Sequence, residues 1–202
     1  MNLATKITFF RVATIPVFFG AFIYNGSQTL ADWGKIVATG VFILGAISDY
    51  YDGAVARWYK EETTFGKFID PIADKLLVAT ALVVMVEYRP LTFTPAWVAS
   101  LIIAREFAVS GLRMVCAPKG TVIEASRLGK WKTTTQLAAI ITSLVFLSFR
   151  ILIETFSWKE TGVWFFPLQG PIIHGLMILA AIMSLVSGYE YFHKNRHLLN
   201  DE

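Results

Sequence analysis

Charge is scarce in this chain of 202 residues. Asp, Glu, Lys and Arg supply 16% of it, whereas hydrophobic types supply 55% and the mean hydropathy is +0.55. That balance excludes an ordinary water-soluble domain and makes an integral membrane protein the expected class. Cysteine is nearly missing as well. Cys116 stands alone, so no internal disulfide can form and nothing signals dependence on an oxidising compartment. No Pro/Gly/Ser linker, low-complexity tract or convincing repeat divides the sequence, and one domain over residues 1–202 is expected. The first apolar stretch, after Met1-Asn2-Leu3-Ala4-Thr5-Lys6, has no convincing small-residue cleavage site behind it and reads as retained. The net charge of +3 is modest, no nucleic-acid partner is expected, and where the basic residues fall matters more than their sum.

A membrane span needs roughly 20 apolar residues. Six stretches qualify: about Ile7 to Tyr24, Lys35 to Tyr51, Phe68 to Val86, Trp97 to Val115, Thr135 to Ile153 and Pro171 to Phe192. Between them lie loop-like separators: Asn25-Gly26-Ser27, Lys60 to Thr64, Arg89-Pro90, Ala117-Pro118-Lys119-Gly120, and Ser157 through Gly170. Lipid cannot satisfy open backbone groups, so the expected fold is all-α with six transmembrane helices. With an even number of spans, both termini share a side with the second-to-third and fourth-to-fifth connections. That side gathers Lys6, Arg11, Arg57, Lys60, Lys67, Arg113, Lys119, Arg127, Lys130, Lys132, Lys194 and Arg196, against Lys35, Arg89, Arg150 and Lys159 on the other. The richly basic side is therefore expected to face the cytoplasm. Trp33, Trp97, Trp158 and Trp164 read as interface anchors, and His174, His193 and His197 as structural or interfacial residues.

Against this apolar background, Asp49, Asp52, Asp70 and Asp74 fall within twenty-six residues. On a helix, residues three or four apart share a face, so Asp49/Asp52 and Asp70/Asp74 form two acidic pairs, each aimed at one spot. Each aspartate alone has a bland reading. Asp70 before Pro71 has the form of a helix N-cap, Asp52 before Gly53 that of a turn, and Asp49 or Asp74 could pair with Arg57 or Lys75. Four together would need a matched set of cations that the second and third spans do not supply. A hard divalent cation such as Mg²⁺ or Mn²⁺ supplies that charge, and such ions commonly act on phosphate substrates. Gly53, Ala54 and Ala56 keep one helix face small, and Arg57 offers a planar fork suited to a diphosphate. Most of the basic residues Arg105, Arg113, Arg127, Lys130 and Lys132 are, singly, explained by topology. Arg105 is the exception, because its register puts it inside the fourth span; adjacent Glu106 is not expected to share its face.

The segment from Asp49 to Asp74 reads D-x2-D-G-x2-A-R-x8-G-x3-D-x3-D and resembles, without departure, the signature of the CDP-alcohol phosphatidyltransferases. Ile103 through Arg113, with Arg105-Glu106 at its centre, and Leu128-Gly129-Lys130-Trp131-Lys132-Thr133 resemble the branch whose acceptor is glycerol 3-phosphate. The resemblance begins at Thr5-Lys6-Ile7-Thr8 and fades in the last third. Ala4-Thr5 stand where many relatives carry Pro-Asn. It implies the family's membrane fold, CDP-diacylglycerol and glycerol 3-phosphate as substrates among membrane lipids, a homodimer, and an integral protein of a bacterial cell membrane. It further implies that Asp49, Asp52, Asp70 and Asp74 hold two metal ions, Mg²⁺ or Mn²⁺, with Asp74 also the catalytic base. Thr5, Lys6, Ile7, Thr8, Gly53, Arg57 and Thr63 would bind the CDP-lipid. Arg105, Arg113, Lys130 and Lys132 are the candidates for the acceptor phosphate, with most weight on Arg113 and Lys130.

Two alternatives stand beside this reading. A relative could use another acceptor, cardiolipin-forming or inositol-phosphate-using, although the Arg105–Arg113 and Lys130–Thr133 segments favour glycerol 3-phosphate. A secondary transporter also carries intramembrane acids, but would hold them near the midplane between broken helices, not at one interface.

Overall fold

A computed structural model describes residues 3–24, 28–59, 64–116 and 127–196, with side chains for 10, 12–24, 33–48, 75–114, 127–158 and 160–196. Among these residues every regular element is an α-helix: α1 (Leu3–Ile23), α2 (Gln28–Tyr59), α3 (Thr64–Glu87), α4 (Arg89–Thr92), α5 (Ala96–Cys116), α6 (Arg127–Thr155) and α7 (Lys159–Lys194). Each of the six apolar stretches falls, to within one residue, inside one of the long helices. Two described segments, Arg127–Thr155 and Glu160–Lys194, are by themselves long and apolar enough to cross a membrane; Val12–Ile23 and Trp33–Ser48 are shorter apolar stretches.

Two separators and one helix cap differ from expectation. Ser157 through Gly170 is not a loop, because α7 already begins at Lys159 and continues through Pro167 and Pro171. Proline breaks an isolated helix, but neighbouring helices can compensate. Here they do so by packing. Phe165 meets Phe146 and Phe149 of α6 edge to face at 5.2 and 5.0 Å, and buried Gln169 donates from Nε2 to the Leu91 carbonyl at 3.3 Å. Arg89-Pro90 opens the single turn α4, with Pro in its first turn, and Phe93 ends it in the left-handed region at φ 50°. Asp70 is not an N-cap either. α3 starts at Thr64, so Asp70 lies inside the helix.

Helix α1 folds back along α2. Phe18 packs at a tilt on Phe22 and Phe42, Phe22 meets Tyr88 edge-on, and a Cβ at Gly34 would lie 2.5 Å from the Ala21 carbonyl oxygen. Only glycine permits that approach of two backbones. α2 is tied to α6 by the Thr39 hydroxyl, which donates to the Leu144 carbonyl at 3.3 Å and accepts from Ser148 at 2.8 Å. Polar groups in this packed region close on backbone carbonyls: Thr92 donates to Met85, and Ser143 donates to Thr92 at 3.1 Å. Left unpaired in an apolar interior, each would cost a few kcal/mol, roughly 1–3 by mutational measures.

Candidate active site

The helices carry the candidate residues to one end of the bundle. Contacts between Thr14 and Gly45, Phe18 and Phe42, and Ala21 and Gly34 fix an antiparallel α1–α2 register. Counted onward from the first of these, Thr8 lies about level with Asp52. α2 and α3 meet at Gly45, where a Cβ would lie 2.9 Å from Leu77 Cδ2. Counted the same way, Asp49 falls level with the Ala73–Asp74 step and Asp52 with Asp70. Thr39 opposite Leu144 sets the α2–α6 register, which brings Asp52 level with Trp131, between Lys130 and Lys132.

At this end α5, α6 and α7 enclose a cavity of about 790 Å³. Its walls include Arg105, Arg113, Lys130 and Lys132, so all four cations expected at an acceptor phosphate share one space. Ala46, one turn before Asp49, and Lys75, next to Asp74, line it too. The cationic cavity therefore reaches the helical segments that carry the aspartates.

The four cations are not equivalent. Lys132 ion-pairs with Glu106, and Arg105 Nη1 lies 3.5 Å from the same carboxylate oxygen. The side chains of Lys132, Arg105 and Glu106 are only 5%, 12% and 17% exposed, so this cluster is the buried wall of the cavity. Arg113 and Lys130 are exposed and have no carboxylate partner among the described residues. Arg113 and Lys130 thus present their charges to an anionic guest. The expectation that Glu106 would not join Arg105 needs correction: adjacent Cβ atoms diverge on a helix, but these long side chains bend back to one cavity.

Helix α7, where resemblance faded, contributes two further wall residues. Ser187 accepts from Arg105 Nη2 at 2.8 Å, and the Tyr191 hydroxyl accepts from Arg113 Nε at 3.0 Å. Both line the cavity. Serine and tyrosine in an apolar span carry no local signal of function, and only the parallel packing of α5 against α7 brings them to the arginines.

The aspartates themselves occupy helical backbone, Asp49 and Asp52 on α2 and Asp70 and Asp74 on α3, with side chains outside the described residues. The same holds for Thr5, Lys6, Ile7, Thr8, Gly53 and Arg57, and Thr63 lies outside the description altogether. Among the described residues no His/Cys/Asp/Glu group of three forms a metal site. The backbone placement nonetheless suits a hard cation: two pairs, at i,i+3 and i,i+4, on two helices brought together one turn away at Gly45 and Leu77.

Comparison with known proteins gives a consistent picture. The family model for CDP-alcohol phosphatidyltransferase matches residues 1–186. A CDP-diacylglycerol–glycerol-3-phosphate 3-phosphatidyltransferase of Bacillus subtilis is 35% identical, over 96% of this chain and 95% of its own length. Proteins of the same name from Sodalis glossinidius and Rickettsia felis are 34% and 36% identical, over 98% and 95% of this chain and 96% and 93% of theirs.

Proposed function

The chain belongs to the CDP-alcohol phosphatidyltransferase family, and from that membership we propose that it transfers the phosphatidyl group of CDP-diacylglycerol to glycerol 3-phosphate. The products are phosphatidylglycerol phosphate and CMP. It is an all-α membrane protein and a transferase of phospholipid synthesis. The observation that carries the choice of acceptor is the cavity. It gathers Arg105, Arg113, Lys130, Lys132 and Lys75 beside one carboxylate, leaves Arg113 and Lys130 exposed, and adjoins the helical turns bearing Asp49 and Asp74.

In this reading Asp49, Asp52, Asp70 and Asp74 hold two divalent cations, Mg²⁺ or Mn²⁺, which when bound neutralise the diphosphate of the lipid donor. Thr5 to Thr8, Gly53, Arg57 and Thr63 hold the CDP portion. Arg113 and Lys130 grip the phosphate of glycerol 3-phosphate, with Arg105 and Lys132, which share Glu106, completing the cationic wall around it. Asp74 takes the proton of the 1-hydroxyl; that oxygen attacks the lipid-side phosphorus, the phosphorus–oxygen bond to CMP breaks, and CMP leaves. Positioning and charge stabilisation supply the rate.

The same reading takes the six long helices as six spans of one domain over residues 1–202, in the plasma membrane of a bacterial cell, working as a homodimer. The basic end, with its cavity, faces the cytoplasm. The test is direct: detergent-purified protein given CDP-diacylglycerol, glycerol 3-phosphate and Mg²⁺ should release CMP. Release that needs no glycerol 3-phosphate, or that persists in chelator, would refute the scheme.

A further inference from the structure

Two arginines eight residues apart on α5 are each held by one residue of α7. Ser187 Oγ accepts from Arg105 Nη2 at 2.8 Å, and Tyr191 accepts from Arg113 Nε at 3.0 Å while its ring lies 5.4 Å from the Arg113 guanidinium carbon. Ser187 and Tyr191 are one helical turn apart, and both are nearly fully buried. Between them Gly188 leaves space that the arginine stem uses: a Cβ there would lie 3.1 Å from Arg105 Cγ.

A guanidinium has five N–H donors in a fixed fork. Each hydroxyl takes one and leaves the rest. An arginine on a long stem otherwise loses about 2 kcal/mol of rotamer freedom when it grips a ligand, so fixing it beforehand favours binding. The hydrogen bond and the cation–π contact together hold Arg113 against Tyr191.

We propose that Ser187, Gly188 and Tyr191 of α7 are positioning residues that present Arg105 and Arg113 to the phosphate of the acceptor. The inference rests on the reading of this cavity as the glycerol 3-phosphate site. It assigns the carboxy-terminal helix, which lies outside the signature, a share in acceptor selection. CDP-diacylglycerol binding, placed on α1 to α3, should not depend on it.

Steady-state kinetics of detergent-purified Tyr191→Phe, Arg113→Gln and the double variant test this. Tyr191→Phe keeps the ring and removes the acceptor hydroxyl. It should raise the KM for glycerol 3-phosphate about three- to tenfold, the scale of one hydrogen bond, with kcat and the KM for CDP-diacylglycerol unchanged. In the Arg113→Gln background the same substitution should add nothing, because the group it positions has gone. An unchanged acceptor KM for Tyr191→Phe, with a raised one for Arg113→Gln, overturns the inference alone. An unchanged acceptor KM for Arg113→Gln removes Arg113 from the acceptor site and overturns the inference together with that assignment. Equal factors in both backgrounds would assign Tyr191 a general structural role and also overturn the inference. Ser187→Ala, alone and with Arg105→Gln, repeats the cycle at the second arginine, and should raise the acceptor KM only while Arg105 is present.

Discussion

Where α1 turns back along α2, Phe18, Phe22, Phe42 and Tyr88 fill the space between helices with tilted and edge-on rings; at the other end α5, α6 and α7 stand around about 790 Å³ of open cavity. The two regions use similar polar side chains for different ends. In the closed region Thr92, Ser143 and Gln169 donate to backbone carbonyls, and their hydrogen bonds hold helices together. In the open region Ser187 and Tyr191 accept from arginine side chains that line a cavity. Hydrogen bonds closed on backbone tie up both partners, whereas a guanidinium bonded once still has donors to offer. The closed end should therefore govern stability and the open end turnover.

The sharpest separation should come from Asp74. With Asp74 as the proposed base, Asp74→Asn should lower kcat roughly 10²- to 10⁴-fold while CDP-diacylglycerol binding in Mg²⁺ persists, as read by turnover beside equilibrium binding. Next come the exposed cations. Arg113→Gln or Lys130→Gln should each raise the acceptor KM roughly ten- to a hundredfold, since a charge-assisted hydrogen bond contributes about 1.5–3 kcal/mol. The KM for CDP-diacylglycerol should hardly change. An unchanged acceptor KM in both would return these residues to a purely topological role.

Phe18→Ala at the closed end should do the opposite. Unfolding in detergent should become easier by about 2 kcal/mol, less than for a core in water because leaving lipid-like surroundings contributes little, with both KM values preserved. A shift in acceptor KM would show that the two regions are coupled. Two glycines should divide, one matching Phe18 in its effect on stability and the other giving the smallest effect of all. Gly34→Ala must displace the Ala21 backbone and should cost about 1–3 kcal/mol, whereas Gly45→Ala meets side-chain atoms alone, Leu77 Cδ2 at 2.9 Å and Thr14 Oγ1 at 3.3 Å. Gly45→Ala should change melting little and lower kcat by less than about threefold, provided Leu77 can swing aside.

Much of the fold was legible in the apolar runs, because a span of roughly 20 residues is set by bilayer thickness rather than by tertiary context. The start of α7 was not. Pro167 and Pro171 are local stop signals, and they were overruled by Phe146, Phe149 and Leu91, residues distant in sequence. The N-cap reading of Asp70 failed similarly, since Asp-Pro marks a helix start only when no helix already runs through it. In the site, charge at membrane depth singled out Arg105 alone, and its grouping with Arg113, Lys130 and Lys132 followed from the family resemblance. The neutralising part of Glu106 did not, because face arithmetic for Cβ atoms ignores the reach of long side chains. Ser187 and Tyr191 carried no pattern at all; only packing between non-adjacent helices reveals them.

All of the site-bearing segments lie at one end of an alternating stack: the start of α1, the end of α2, the start of α3, the end of α5, the start of α6 and the end of α7. On the proposed reading, the lipid substrate would be taken from, and the lipid product returned to, a single leaflet, while the water-soluble reactants arrive and depart on the same aqueous side. Each turnover would then leave a new anionic headgroup on that sheet alone.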